Sequence, residues 1–281
     1  MAIPKQIHSV GVTDRFIHML LVAGPGFGKT VFWGTGNEGI LFLTTDPEGT
    51  VSAFMMGSTS KEWEIKHWED IMECFRYLKG GGIAELGIKW VVIDNASEAQ
   101  KLGMKANMER SRKGKPGLDE FIPTLDNHQR TQIMFLDMVK QFHDLPVNVG
   151  WTSWIETHED AAGEEYFAPA IHGQKGAIAQ EFAGLMNIVG YGEVIEDGED
   201  ELRRVWFTHS GPYRGKDRYV ALGKKRDGLD VPKMERIIAA AVKKRIAEKG
   251  ATSAPANKVP TARRAASAAP ARRSVRKTTT K

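Results

Sequence analysis

Leu20-Leu-Val-Ala-Gly-Pro-Gly-Phe-Gly-Lys-Thr30 joins an apolar run to a glycine-rich turn with nothing in between. The run from Ile17 to Val22 reads as a buried strand. It passes straight into Ala23-Gly24-Pro25-Gly26-Phe27-Gly28-Lys29-Thr30, which fits the phosphate-binding pattern (A/G)-x4-G-K-(S/T). Chemistry explains the spacing. Glycines let the backbone wrap a phosphate chain with its amides pointing inward. Lys29 then reaches the β- and γ-phosphates, and Thr30 offers a hydroxyl to Mg²⁺ at the start of a helix whose dipole favours negative charge. Gly24 to Val31 are thus the expected nucleotide-binding residues, with ATP and Mg²⁺ as the expected cofactors. The first position is Ala23 rather than Gly, which the broader pattern allows.

Working outward, Ile40-Leu-Phe-Leu-Thr44 reads as a second buried strand. Asp46 and Glu48 follow it in Thr45-Asp-Pro-Glu-Gly-Thr50, where the carboxyl end of a strand meets bound nucleotide. A carboxylate there can orient or deprotonate the water that attacks the γ-phosphate, and either residue suits the role. Trp90-Val-Val-Ile-Asp94 is a further apolar strand closing on an acid, which places Asp94 beside the Mg²⁺ held by Thr30. Val147 to Ser153 is another strand, weakened by Gly150, and it ends on Thr152 and Ser153, polar groups able to sense the γ-phosphate.

The remaining pattern predicts helices at 69–78, 97–108, 127–142, 176–185 and 232–248. Strands are predicted at 63–68, 187–194, 202–208 and 219–222, with an acidic hairpin turn at 196–200. Residues 109–117 read as a basic loop, and 155–175 as a long loop, acidic and then glycine-rich. His158-Glu-Asp160 lacks a second ligand pair at metal-binding spacing and reads as solvated surface. The single Cys74 excludes an internal disulfide and a cysteine-rich zinc site. No apolar run approaches the ~20 residues that span a bilayer, and Met1-Ala-Ile-Pro-Lys5 lacks the apolar core of a secretory signal. The expectation is a cytoplasmic protein without membrane contact.

Charge is unevenly distributed. From Ala251 onward the chain holds Lys258, Arg263, Arg264, Arg272, Arg273, Arg276, Lys277 and Lys281 and no acid. Removing these eight from the 39 basic residues leaves 31 against 35 acids, so residues 1–250 carry −4 and the tail +8. The expected organisation is a lead-in at 1–16, one α/β domain at 17–249 and a disordered basic tail at 250–281. Such a tail is an electrostatic contact for nucleic acid or an acidic partner.

The order of these parts resembles the RecA-like P-loop ATPase core, and more closely the compact phage-encoded ATPases of single-strand annealing and homologous recombination. Ala23 to Thr30, Leu43 to Thr50, Val91 to Asp94 and Lys224-Lys-Arg-Asp-Gly228 carry the likeness. The resemblance implies a mainly parallel central sheet flanked by helices, and DNA-stimulated ATP hydrolysis with single-stranded DNA as partner. It implies residence in the host cytoplasm if phage-encoded. Asp-Pro-Glu-Gly-Thr is similar to the strand-end glutamate and Gly-Thr of eukaryotic strand-exchange recombinases, which makes Glu48 the catalytic carboxylate. By the same comparison Arg110, Arg112, Lys113 and Lys115 occupy the first DNA-binding loop, and 155–175, ending on Lys175, the second. Lys224 and Arg226 resemble the paired cations that RecA-fold motors insert into a neighbour's ATP site, implying a homo-oligomeric ring or filament. A single-strand-binding protein is a natural acidic partner for the tail. Two other readings stand beside this one: a helicase- or packaging-type DNA motor, and a nucleotide-regulated module that loads a partner onto DNA with little turnover.

Overall fold

Apolar runs of five or six residues, unbroken by charge, form strands that are covered on both faces. Three such runs build the centre of a mixed sheet: β1 (His18–Ala23), β2 (Ile40–Thr44) and β4 (Trp90–Asp94). The computed structural model describes residues 16–46, 48–173, 176–198 and 200–252. Most of the lead-in and of the basic tail lies outside these residues, as does Lys175. Between the three strands come α1 (Lys29–Gly34), α2 (Val51–Met55), β3 (Lys61–Glu64), α3 (Trp68–Tyr77) and α4 (Ile83–Leu86). After β4 the chain forms α5 (Ala96–Gly114), α6 (Leu125–His143), β5 (Asn148–Ser153), β6 (Ile155–Glu159), β7 (Glu165–Pro169) and α7 (Ala177–Leu185). It continues through β8 (Ile188–Asp197), β9 (Asp200–Trp206), β10 (His209–Ser210), β11 (Tyr213–Arg214), β12 (Lys216–Asp217), β13 (Lys225–Asp227) and α8 (Val231–Thr252).

The main sheet runs β13-β9-β8-β1-β5-β4-β2-β3, with β12 also paired to β8. From β8 to β3 every neighbour is parallel. The β8–β9, β9–β13 and β8–β12 pairs are antiparallel, so the expected mainly parallel sheet carries an antiparallel edge.

Strand alternation divides the apolar residues between two cores. Leu20, Val22, Val91, Ile93, Val149 and Trp151 pack with Phe135, Phe142 and Phe182 of α6 and α7 on one face. Met19, Leu21, Ala23, Phe42 and Val92 pack with Phe32 and Trp33 of α1 and Val231, Met234 and Ile238 of α8 on the other. Gly150, the apparent weak point of β5, is where α1 needs space: a Cβ there would sit 2.7 Å from the Trp33 ring. The chain divides after Lys244; of residues 245–281 the structure describes 245–252, where Arg245 pairs with Glu248 at 2.9 Å. No helix among the described residues is long and apolar enough to cross a membrane.

Four local expectations change. The helix predicted to stop at Met108 continues to Gly114, which puts Arg110, Arg112 and Lys113 on α5 and Lys115 at its C-cap rather than in a loop. Cations suit that end of a helix dipole, and no apolar stripe was needed to extend it. Much of the predicted loop at 155–175 is the β6–β7 hairpin, paired from Ile155↔Pro169 to Glu159↔Glu165. The strand predicted at 63–68 lies earlier, at Lys61–Glu64, and Trp68 opens α3. Tyr219-Val-Ala-Leu222 is a turn, not a strand. The Asp217 carboxylate accepts the amides of Tyr219, Ala221 and Leu222 at 2.7 to 2.9 Å and winds the segment around itself.

Candidate nucleotide-binding site

Strand order brings the site together. β5 lies between β1 and β4, so the glycine-rich loop after β1 and Asp94 at the end of β4 flank the end of β5. Asp94 is held from both sides. Thr30 Oγ1 donates to its Oδ2 at 2.6 Å, and Thr152 Oγ1, from β5, donates to its Oδ1 at 2.5 Å. Three residues singled out in the sequence, 58 and 64 positions from Asp94 in the two cases, thus form one hydrogen-bonded unit. Ser153 takes no part in it. It is fully buried, with its Oγ 3.1 Å from Ser97 Oγ and donating to the Trp154 carbonyl at 2.9 Å.

The loop itself is anchored by packing. Phe27, only 4% exposed, lies over Gly192 of β8, where a Cβ would come within 2.6 Å of the ring. Gly28 has φ +91°, a left-handed conformation that favours glycine. Phe32 N donates to Gly28 O at 2.8 Å, the first backbone bond of α1. The amides of residues 29–31 therefore have no partner inside the helix and are placed where they could meet phosphate. Lys29 Nζ donates to the carbonyls of Ala23 and Gly24 at 2.9 and 3.0 Å. Burial lowers its pKa, and the charge of Asp94 acts against that shift.

Two cavities adjoin Lys29 and Thr30. On the Asp94 side a space of about 420 Å³ is lined by Thr44, Thr45, Asp46, Gly49, Asp94, Asn95, Glu98 and Trp154. On the other side a space of about 540 Å³ is lined by Gly26, Gly28, Val31, Ser52, Met56 and Arg203. Asp46 therefore faces the first cavity. Glu48 lies on the adjoining turn, exposed, its amide donating to Asp46 Oδ1 at 3.2 Å. Glu98 and Arg203 have no signal in the sequence: Glu98 is carried in by the first turn of α5, and Arg203 by β9.

Thr30 and Asp94 fit Mg²⁺, a hard ion that takes one or two oxygen ligands from protein and completes its shell with water and phosphate. The ion would neutralise charge on the β- and γ-phosphates. Lys224 and Arg226 lie elsewhere: Lys224 just before β13, and Arg226 within it, paired with Val205 of β9. Lys224 is exposed with Nζ 5.6 Å over the Trp206 ring, and Arg226 Nε donates to the Leu222 carbonyl at 2.7 Å.

A phosphate-binding loop, an acid-ended strand beside its threonine and a strand between them define an ATP-binding and ATP-hydrolysing P-loop NTPase of the AAA+/RecA superfamily. The chain belongs to the AAA domain family, whose model (AAA_24) matches residues 15–219. Among solved structures it is similar to a KaiC-like protein from the hyperthermophilic archaeon Pyrococcus horikoshii OT3. That match has a TM-score of 0.35 and 16% identity, covering 68% of this chain and 77% of the other. No curated protein matches.

Proposed function

We propose that this ATPase acts on single-stranded DNA, in recombination or strand annealing of the phage type. The observation that carries the reading is the tip between α5 and α6. Phe121 is 84% exposed, with Ile122 and Leu125 exposed beside it. The tip is held in shape, because the Asp119 carboxylate accepts the amides of Phe121 and Ile122 at 2.7 and 2.9 Å. Glu120 pairs with Arg112 at 2.9 Å, and Arg110, Lys113 and Lys115 are exposed at the end of α5. An exposed aromatic ring on a held backbone turn, with the exposed Arg110, Lys113 and Lys115 nearby, suits a single strand, whose bases stack while its phosphates meet the cations.

In this reading Lys29, Thr30 and Asp94 hold Mg·ATP, Thr152 reports on Asp94, and Glu48 activates water. The β6–β7 hairpin follows β5 directly and couples DNA to Thr152. The basic tail adds contact with DNA or with an acidic partner such as a single-strand-binding protein, and subunits join in a ring or filament. The exposed position of Glu48 favours one second reading, a nucleotide-regulated loader with little turnover.

ATP hydrolysis with and without single-stranded DNA, alongside annealing of complementary strands, tests the proposal. DNA is expected to raise turnover several-fold. Phe121→Ala should weaken strand binding by about 5- to 160-fold, the range for losing one stacked base, while basal hydrolysis persists. Turnover indifferent to DNA, with equal DNA affinity in both proteins, would remove DNA from the function. DNA binding with negligible turnover would select the loader.

A further inference from the structure

Arg203 is brought to the phosphate-binding loop by the sheet. β8 pairs with β1 up to Ala23↔Gly192, and Val194, two residues further along, pairs with Arg203 of β9. Arg203 is therefore level with the loop that follows Ala23. Its strand neighbour at i+2, Val205, packs into the core shared with α1, so both side chains belong to the α1 face of the sheet. Arg203 Nε donates to the Phe27 carbonyl at 2.9 Å, and a Cβ on Gly28 would lie 3.4 Å from the same nitrogen.

The rest of the guanidinium is barely neutralised. Its acidic contact is Glu201, 3.4 Å from Nη2, with the two side chains 46% and 64% exposed. Exposed pairs of this kind contribute little. The adjacent Arg204 shows the contrast: it grips Asp227 through two bonds at 2.6 and 2.9 Å.

Position identifies the ligand end. The cavity containing Asp94 is the Mg²⁺ and γ-phosphate side. Arg203 lines the opposite cavity with Gly28 and Val31, and backbone amides in this region cradle the α- and β-phosphates. We propose that Arg203 is a nucleotide-binding residue supplied in cis by the β8–β9 hairpin. Its Nε–H fixes the Phe27 peptide, and its Nη groups take a phosphate oxygen at the nucleoside end of ATP. The proposal rests on ATP being the ligand of this loop. Because ADP retains that end, Arg203 governs affinity for both nucleotides rather than the chemical step.

The test measures Kd for ATP and ADP by calorimetry, with KM and kcat for ATP, on the full chain. Arg203→Ala should raise both Kd values about tenfold or more, as for a lost charge-assisted hydrogen bond. KM should rise in parallel while kcat changes less than about threefold. Arg203→Lys keeps the charge but not the planar fork and should fall between the two. Unchanged Kd values in both variants would overturn the proposal, as would a collapse of kcat at unchanged affinity, which would put Arg203 at the γ-phosphate. If Arg203→Ala fails to fold, Arg203→Lys at wild-type affinity still overturns the need for the fork. Wild-type protein that binds neither nucleotide would instead defeat the ATPase reading itself.

Discussion

Three carboxylates compete for one job at the residue scale. Asp46 and Glu98 line the cavity that holds Asp94, whereas Glu48 sits on the turn beside it. Glu98 is already engaged, 2.7 Å from Lys101 Nζ, and that lysine lies 4.7 Å over the Trp154 ring. Catalytic hydrogen bonds commonly tighten only when substrate is bound, so the outward position of Glu48 does not remove it from the role. Glu48→Gln is expected to bind ATP normally and lose most turnover, since only water activation is affected. Asp46→Asn showing that split, with Glu48→Gln active, would transfer the role to Asp46. Under the proposed function, Lys29→Ala should lose nucleotide binding or turnover, and Asp94→Asn Mg²⁺-dependent hydrolysis, because each would remove a group expected to meet the phosphates or their ion. Wild-type turnover in these two variants would dissolve the site.

At the scale of elements, β1 joins the P-loop at one end to a half-buried histidine pair at the other. His18 stacks on His143 of α6 with ring centroids 3.8 Å apart and planes 11° from parallel. His143 Nε2 accepts from Trp151 Nε1 at 3.1 Å, and His18 Nε2 is buried without a partner. Burial pushes His18 down to about 4, with Asp144 opposing, and pushes His143 down to about 3, with His18 adding to the shift. Both are neutral in the folded chain at pH 7, and in the unfolded chain both take protons near 6.5. Below about pH 6.5 the unfolded state binds more protons, so stability falls as pH falls, until the folded pKa values are reached. Each histidine contributes up to about 1.4 kcal/mol per pH unit inside that window. Urea unfolding at pH 7.5 and pH 5 should show the loss, and His18→Asn/His143→Gln should reduce it. Equal pH slopes in the two proteins would remove the pair from the account. Sequence made some elements plain and hid others for definite reasons. β1, β2 and β4 are legible because burial on both faces demands continuous apolar runs; β1 leads into the loop before Thr30, and β4 ends on Asp94. The β6–β7 hairpin is hidden because its stability lies in pairing Ile155-Glu-Thr-His-Glu159 with Glu165-Tyr-Phe-Ala-Pro169, and its outer residues are polar. The 219–222 turn is hidden because one carboxylate, Asp217, organises it without any periodic pattern. Arg203 is hidden because 176 residues separate it from Phe27, and only the β1–β8–β9 order closes that distance.

At the scale of the whole molecule, the ring or filament of the proposed function would turn on Lys224 and Arg226. Arg226 is committed within its own chain, with Nε bonded to the Leu222 carbonyl at 2.7 Å and Nη2 to the Ala221 carbonyl at 3.4 Å. Lys224 is exposed and rests over Trp206, a ring that Lys225 also approaches at 5.3 Å. Lys224 is therefore the cation free to leave its resting contact, while Arg226 braces the turn that presents it. The P-loop already has Lys29, so a second cation serves better at the γ-phosphate of a neighbouring subunit. That arrangement needs a ring or filament in which one face of each subunit meets the opposite face of the next. Turnover per subunit should then rise with protein concentration. Lys224→Ala should lower turnover while sparing ATP affinity, with a ceiling on the order of 10³–10⁵ set by cations supplied in trans. Mixing Lys224→Ala with Lys29→Ala decides the matter, because an intact Lys224 on one subunit can complete an intact P-loop on the other. Partial recovery that peaks near equal proportions is the expected result. Mixtures that stay inactive at every ratio, or an active species that sediments as a monomer, would make Lys224 an ordinary surface cation and Arg226 a brace for its own turn.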